Sequence, residues 1–174
     1  MIHLVLGGAR SGKSSFSLEQ VKKVQQDTGK AVTFVATATV TDHEMASRIA
    51  QHQSERPSNW QLAEVPLALD TFIAQQKDSI LLIDCLTLWL NNHLYQRPKQ
   101  DFKKLIDNLV SALSTSQCHI LLVSNEVGLG IIPMGEVTRQ FVDQAGWLNQ
   151  AIAKAADQVT FVAAGLPMML KGNR

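Results

Sequence analysis

Gly7, Gly8, Ala9, Arg10, Ser11, Gly12, Lys13 and Ser14 spell G-x-x-x-x-G-K-S, the spacing of a loop that wraps phosphate. Glycines let a backbone curl, so that successive N–H groups point inward at phosphate oxygens. The N-terminus of a following helix adds partial positive charge. Lys13 can reach the β- and γ-phosphates of a nucleoside triphosphate, and the Ser14 hydroxyl can ligate Mg²⁺. The motif carries this meaning only between a strand and a helix; a chance match in a glycine-rich turn lacks that context. Here residues 2–6 form an apolar run fit for a buried strand, and residues 15–26 read as a helix with Phe16, Val21 and Val24 turned inward.

Three other places carry reactive side chains. Asp84 closes the apolar run 79–84, where a carboxylate can hold Mg²⁺ opposite Ser14, directly or through water. It can also cap the helix that follows, and the two roles are compatible. In the stretch 42–57, a helical reading puts Arg48, His52 and Arg56 in one i, i+4 row beside Met45 and Ile49. Two flanking guanidinium groups disfavour imidazolium and leave His52 a free lone pair, suited to attack on phosphorus. The arginines can bind phosphate oxygens. By spacing alone, an ordinary solvated charge row is the simpler meaning, and Arg56 before Pro57 weakens the row further. Glu64 ends a short run at 61–65 and can accept hydrogen bonds from a base or ribose. The segment 125–133, with Gly128 and Gly130, fits a mobile substrate loop and a plain turn equally. Of the remaining histidines, His3 reads as packed within a strand and His43 as solvated at a helix start. His93 and His119 show no legible partner.

The elements that must position these groups alternate. Strands are expected at 31–36, 61–65, 79–84, 119–124 and 159–163, the last clear strand. Helices are expected at 42–55, 67–76, 86–95, 102–113 and 136–156. Such alternation predicts an α/β fold with a mostly parallel sheet covered on both faces. Ligands then sit at the carboxyl ends of the strands. That logic lines up the phosphate loop, residues 37–41, 84–87 and 125–133 along one rim.

Composition sets the bounds. The 174 residues are 45% hydrophobic and 18% charged, fitting one domain, 1–174, with a sizeable core. A net charge of +1 gives no electrostatic argument for nucleic acid or a membrane surface. No apolar run is long enough to span a bilayer, and the N-terminus reads as a strand rather than a signal peptide. Cys85 and Cys118 both adjoin apolar runs and read as buried small hydrophobes in a reducing cytosol, so a cytoplasmic location is expected.

Over nearly its whole length the chain resembles the bifunctional adenosylcobinamide kinase/adenosylcobinamide-phosphate guanylyltransferase family of cobalamin biosynthesis. The resemblance rests on GGARSGKS at 7–14, FVATA at 34–38, DHEMASRIAQHQSERP at 42–57, W-x-L-A-E at 60–64, LLIDCLT at 81–87 and SNEVGLGIIP at 124–133. It implies a three-layer P-loop fold and a histidine, here His52, that carries GMP covalently. Some members have two adjacent histidines there; this chain has Gln51 and then His52. It implies guanine-nucleotide contacts on the phosphate loop, on Ala36, Thr37 and Ala38, on Gln53, Ser54, Glu55 and Arg56, and on Glu64 and Asp84. Some members carry glutamate where Asp84 stands, and either carboxylate suits Mg²⁺. The implied substrates are ATP or GTP with adenosylcobinamide, then GTP with adenosylcobinamide phosphate. The implied assembly is a homotrimer. A monofunctional small-molecule kinase is the competing enzymatic reading, and a nucleotide-dependent binding module the non-enzymatic one.

Overall fold

The structure, a computed structural model, describes residues 1–39 and 57–172. Seven strands form one sheet: β1 (Ile2–Gly7), β2 (Val32–Ala36), β3 (Gln61–Glu64), β4 (Ile80–Asp84), β5 (His119–Asn125), β6 (Gln158–Ala163) and β7 (Leu166–Lys171). The described helices are α1 (Lys13–Thr28), α2 (Leu69–Gln75), α3 (Leu86–Gln96), α4 (Phe102–Thr115) and α5 (Glu136–Ala155). The strand order is β3-β2-β4-β5-β1-β6-β7. All neighbours are parallel except β6 and β7.

The central strands are almost wholly apolar because both faces are covered. Side chains alternate between two cores. Val5, Phe34, Leu82 and Val123 pack beneath α1 with Leu18 and Val21. Leu4, Leu6, Leu81, Ile83 and Leu122 face α2 to α5, meeting Ile73, Trp89, Leu109 and Ile152. The result is the three-layer α/β arrangement expected from the alternation. Helix ends follow local chemistry. Gly29 closes α1 in the left-handed region, its N–H donating to the Gln25 carbonyl. Asp101 caps α4 by accepting from the Lys104 N–H at 3.0 Å.

Two expectations are corrected. The strand at 159–163 is not the last: β7 folds back on β6 through Ala164 and Gly165, both at positive φ (51° and 79°). Positive φ at both central positions is what a tight hairpin turn of the I′ kind requires. Pro167 and an Ala-Gly turn are weak strand and hairpin signals, which hid β7 in the sequence. His93, which showed no partner in the sequence, has two: its Nε2 pairs with the Leu67 carbonyl at 3.1 Å and its Nδ1 with Gln100 at 3.0 Å. His3 is packed, as expected, with Nε2 2.9 Å from Thr160 Oγ1. Both cysteines are buried and free.

Candidate functional site

The loop between β1 and α1 is shaped by its glycines. A Cβ on Gly7 would lie 2.5 Å from both Ser11 Oγ and the Val162 carbonyl. Gly12, at φ 93°, precedes α1, and a Cβ there would lie 3.1 Å from the Gly165 Cα. The β6–β7 turn therefore braces the loop from behind, and the Gly165 N–H donates to the Ser11 carbonyl at 2.8 Å. Arg10 also sits at positive φ, 55°, and with Ala9 is exposed at the loop's crest. Gly8 is half-buried. The Ser11 hydroxyl is buried without a hydrogen-bond partner among the described residues. A buried orphan oxygen is costly unless a ligand or water completes it, which fits an anion cradle.

Lys13 is 8% exposed and curls back over the loop, its Nζ donating to the Gly8 carbonyl at 3.0 Å. Burial pulls its pKa below the ordinary lysine value, and neighbouring Cys85 and Asp84 oppose the shift. Asp84 ends β4 and faces the α1 side of the sheet, by alternation from Leu82. Lys13 and Asp84 thus belong to the same face of the rim, near enough for the carboxylate to favour the lysine's charge. Ser14 lies half-buried in the first turn of α1. The N-terminal cap of α3 is Cys85, not Asp84, so capping does not explain the aspartate. Among the described residues no cluster of three or more His, Cys, Asp or Glu exists. A hydroxyl and one carboxylate match the sparse oxygen set of Mg²⁺, which completes its octahedron with water and phosphate.

Register extends the rim. Gly7 stands opposite Asn125, Asp84 opposite Val123 and Ala36, and Ala36 opposite Glu64. Glu64 is exposed at the end of the edge strand β3. It lies four strand spacings from the phosphate loop, roughly 19 Å at the usual inter-strand distance. That separation suits the sugar or base end of a nucleotide rather than its phosphates. Ala38 is half-buried beside Thr37.

Thr37 itself is fully buried. Its Oγ1 donates to the Cys85 carbonyl at 2.7 Å and accepts from the Cys85 N–H at 2.9 Å. The side chain therefore fixes the turn that carries Asp84. Cys85 is buried so deeply that its thiol is pushed up to about 11, by desolvation and then by Asp84. It stays a neutral thiol, 3.1 Å from Thr87 Oγ1. Asn125 Nδ2 donates to the same Thr87 oxygen at 2.8 Å. Asn149 from α5 accepts from Ser124 Oγ at 2.7 Å and donates to the Asn125 carbonyl at 3.3 Å. Sequence reasoning put Thr87 on the rim without its bonds to Cys85 and Asn125, and missed Asn149 and Gly165, whose partners are distant in the chain.

A cavity of about 370 Å³, lined in part by Asp70, His93, Arg97 and Lys104, lies on the other face between α2, α3 and α4. It shares no residue with the rim, and the chemistry of the loop, not cavity size, locates the site.

Residues 3–170 match the family described as cobinamide kinase / cobinamide phosphate guanyltransferase. The chain belongs to that family. It is 46% identical to the bifunctional adenosylcobalamin biosynthesis protein CobP of Pseudomonas aeruginosa, over 99% of each chain. It is 37% identical to the bifunctional adenosylcobalamin biosynthesis protein CobU of Salmonella typhimurium, covering 98% of this chain and 100% of the relative. In fold it is similar to the flagellar accessory protein FlaH of Methanocaldococcus jannaschii, with a TM-score of 0.59 at 14% identity, over 99% of this chain and 78% of the other. That likeness shows the fold alone. The sequence element expected to distinguish a cobinamide kinase / cobinamide phosphate guanyltransferase from a plain kinase is 42–57. His52, with Gln53, Ser54, Glu55 and Arg56, lies outside the described residues.

Proposed function

We propose that this chain, as a single domain, phosphorylates adenosylcobinamide with ATP or GTP. It then transfers GMP from GTP to adenosylcobinamide phosphate, giving adenosylcobinamide-GDP for cobalamin biosynthesis. The observation that carries the reading is Lys13 held on a phosphate loop facing Asp84, in a chain nearly half identical to a bifunctional relative.

In the kinase half, the substrate's aminopropanol hydroxyl attacks the γ-phosphorus and a nucleoside diphosphate leaves. Loop N–H groups and the Lys13 ammonium stabilise charge on the phosphate oxygens. Ser14 and Asp84 would hold Mg²⁺, which when bound adds its own neutralising charge. In the transferase half, His52 attacks the α-phosphorus of GTP and pyrophosphate leaves; an oxygen of the substrate's phosphate then attacks that same phosphorus, taking the GMP as the bond to His52 breaks and the imidazole is freed. Splitting one displacement into two is the advantage of a covalent carrier. In this reading Glu64, some four strands along the rim from the loop, would hold the ribose or base, and Ala36 to Ala38 would line the path between; the strand register supports that order.

The deciding experiment is incubation with α-³²P-labelled GTP followed by denaturation. An acid-labile, base-stable label is expected, and it disappears in His52→Ala. Equal labelling of that variant overturns His52 as carrier. γ-Phosphoryl transfer with no label at all would leave a monofunctional kinase.

A cytoplasmic homotrimer completes the reading. No described helix is long and apolar enough to cross a membrane. Ile131, Ile132 and Met134 are 98%, 78% and 97% exposed, an apolar surface that self-association would cover.

A further inference from the structure

The segment 124–133 was singled out in the sequence, yet neither half-reaction above uses it. Its first rim residue, Asn125, is placed with unusual definition. It ends β5, directly opposite Gly7, where the phosphate loop begins, and the Glu126 N–H donates to the Gly7 carbonyl at 3.1 Å. By alternation from Leu121 and Val123 its side chain belongs to the α1 face, the face of Lys13 and Asp84. β5 lies between β4, which carries Asp84, and β1, which carries the loop. Asn125 therefore stands between the two groups that bracket a terminal phosphate.

Its carboxamide is also oriented. Nδ2 donates to Thr87 Oγ1 at 2.8 Å, and Thr87 is in turn held by the Cys85 thiol at 3.1 Å. Cys85 is clamped through its backbone by Thr37. From behind, Asn149 binds the Asn125 backbone carbonyl at 3.3 Å. Thr87 is 4% exposed and Asn149 5%, so these tethers are sheltered from water, while Asn125 itself is half-buried at the rim. No described residue bonds its Oδ1. A chain of buried polar groups that ends in one half-exposed acceptor beside a phosphate cradle is arranged to present that acceptor.

We propose that Asn125 is a catalytic residue of the phosphoryl-transfer half-reaction, its Oδ1 accepting the hydrogen bond of the attacking alcohol. This rests on the kinase reading above. The alcohol oxygen forms its bond to the γ-phosphorus as the bond from that phosphorus to the β,γ-bridging oxygen breaks. The nucleoside diphosphate leaves with that electron pair. The amide is not a base: it aligns the O–H during attack, and the proton passes to water as the phosphate monoester forms. In a loose transition state of this kind alignment contributes more than proton removal. Guanylyl transfer to His52 has an imidazole nucleophile and no hydroxyl to align, so it does not need this acceptor.

The test uses the intact protein with adenosylcobinamide and ATP for the kinase half, and α-³²P-labelled GTP for the covalent half. Wild type lacking both activities sinks the proposed function, without reference to Asn125. With wild type active, Asn125→Ala is expected to lower kcat for alcohol phosphorylation about 100-fold, with nucleotide KM and covalent labelling within about threefold. Thr87→Val, which removes the tether but keeps the carboxamide, is expected to lower the same kcat by about tenfold. Either of two results overturns the proposal: an Asn125→Ala kcat within about threefold of wild type, or labelling that falls in parallel with phosphorylation. Parallel loss would mean the residue only supports the loop.

Discussion

Lys13 holds its place by two opposing influences. Burial disfavours its charge, while the carboxylate of Asp84 and the Gly8 carbonyl retain it. Removing the side chain takes away the buried cation of the loop and leaves only Arg10, exposed at its crest. Lys13→Ala is expected to weaken nucleotide binding at least about tenfold and abolish both half-reactions, measured by calorimetric titration and by activity. Survival of covalent GMP formation would mean that a second nucleotide site feeds it. The histidines set a pH dependence of a different kind. His3 and His93 are 3% and 2% exposed, and burial lowers each below the ordinary value of 6.5. Unfolded, they take up a proton near pH 6.5; folded, they resist it until lower pH. The unfolded state then binds more protons, so stability falls as pH drops below 6.5. Urea midpoints are expected to decline from pH 7.5 to pH 5.5, and less steeply in His3→Gln. A midpoint that rises on acidification would contradict this.

At the level of elements, the rim works because strand ends are tied to each other and not only to their own helices. Thr37 ends β2 yet bonds both backbone groups of Cys85 just beyond β4, and Asn92 from α3 donates to the Thr37 carbonyl at 2.8 Å. Thr37→Val keeps the shape and removes both hydroxyl bonds. The cost is expected to be about 1–3 kcal/mol of stability, read by chemical denaturation. Because the turn it holds carries Asp84, nucleotide affinity is expected to fall as well. An unchanged affinity would show that Asp84 is positioned independently. Much at this scale was legible beforehand. The apolar runs of β4 and β5 are uninterrupted, that of β1 is broken only by His3, and Gly29 marks the end of α1. β7 was not legible, since it has no alternation and carries Pro167; all six residues are exposed, so burial wrote no pattern into them.

Across the whole molecule, the described surface is uneven. Leu129, Ile131, Ile132 and Met134 stand out just beyond the rim, Trp147 is 57% exposed on α5, and Leu166, Met168 and Leu170 line the edge strand. Single exposed apolar residues are ordinary, but contiguous ones mark contact surfaces. Arg139 donates to the Pro133 and Met134 carbonyls, fixing the protruding segment to the first turn of α5. Light scattering is expected to give a mass near three chains for wild type. The double variant Ile131→Glu, Met134→Glu is expected to shift it toward one chain. A wild-type mass of one chain would overturn the trimer.

What the sequence determined by itself is the local chemistry. The residues Gly7 to Ser14 must curl before a helix, because only glycine tolerates the close approach at Gly7 and the φ of 93° at Gly12. The carboxylate at the end of an apolar strand is likewise local, as is the strand–helix alternation that makes a parallel sheet. What only the tertiary structure decided is who meets whom. That Gly165 braces the loop, that Thr37 clamps Cys85, and that Asn125 stands opposite Gly7 all depend on strand order. Strand order is set by packing two cores against one sheet, which joins residues distant in the chain, from 48 positions for Thr37 and Cys85 to more than a hundred for Gly7 and Asn125, and leaves no spacing to read.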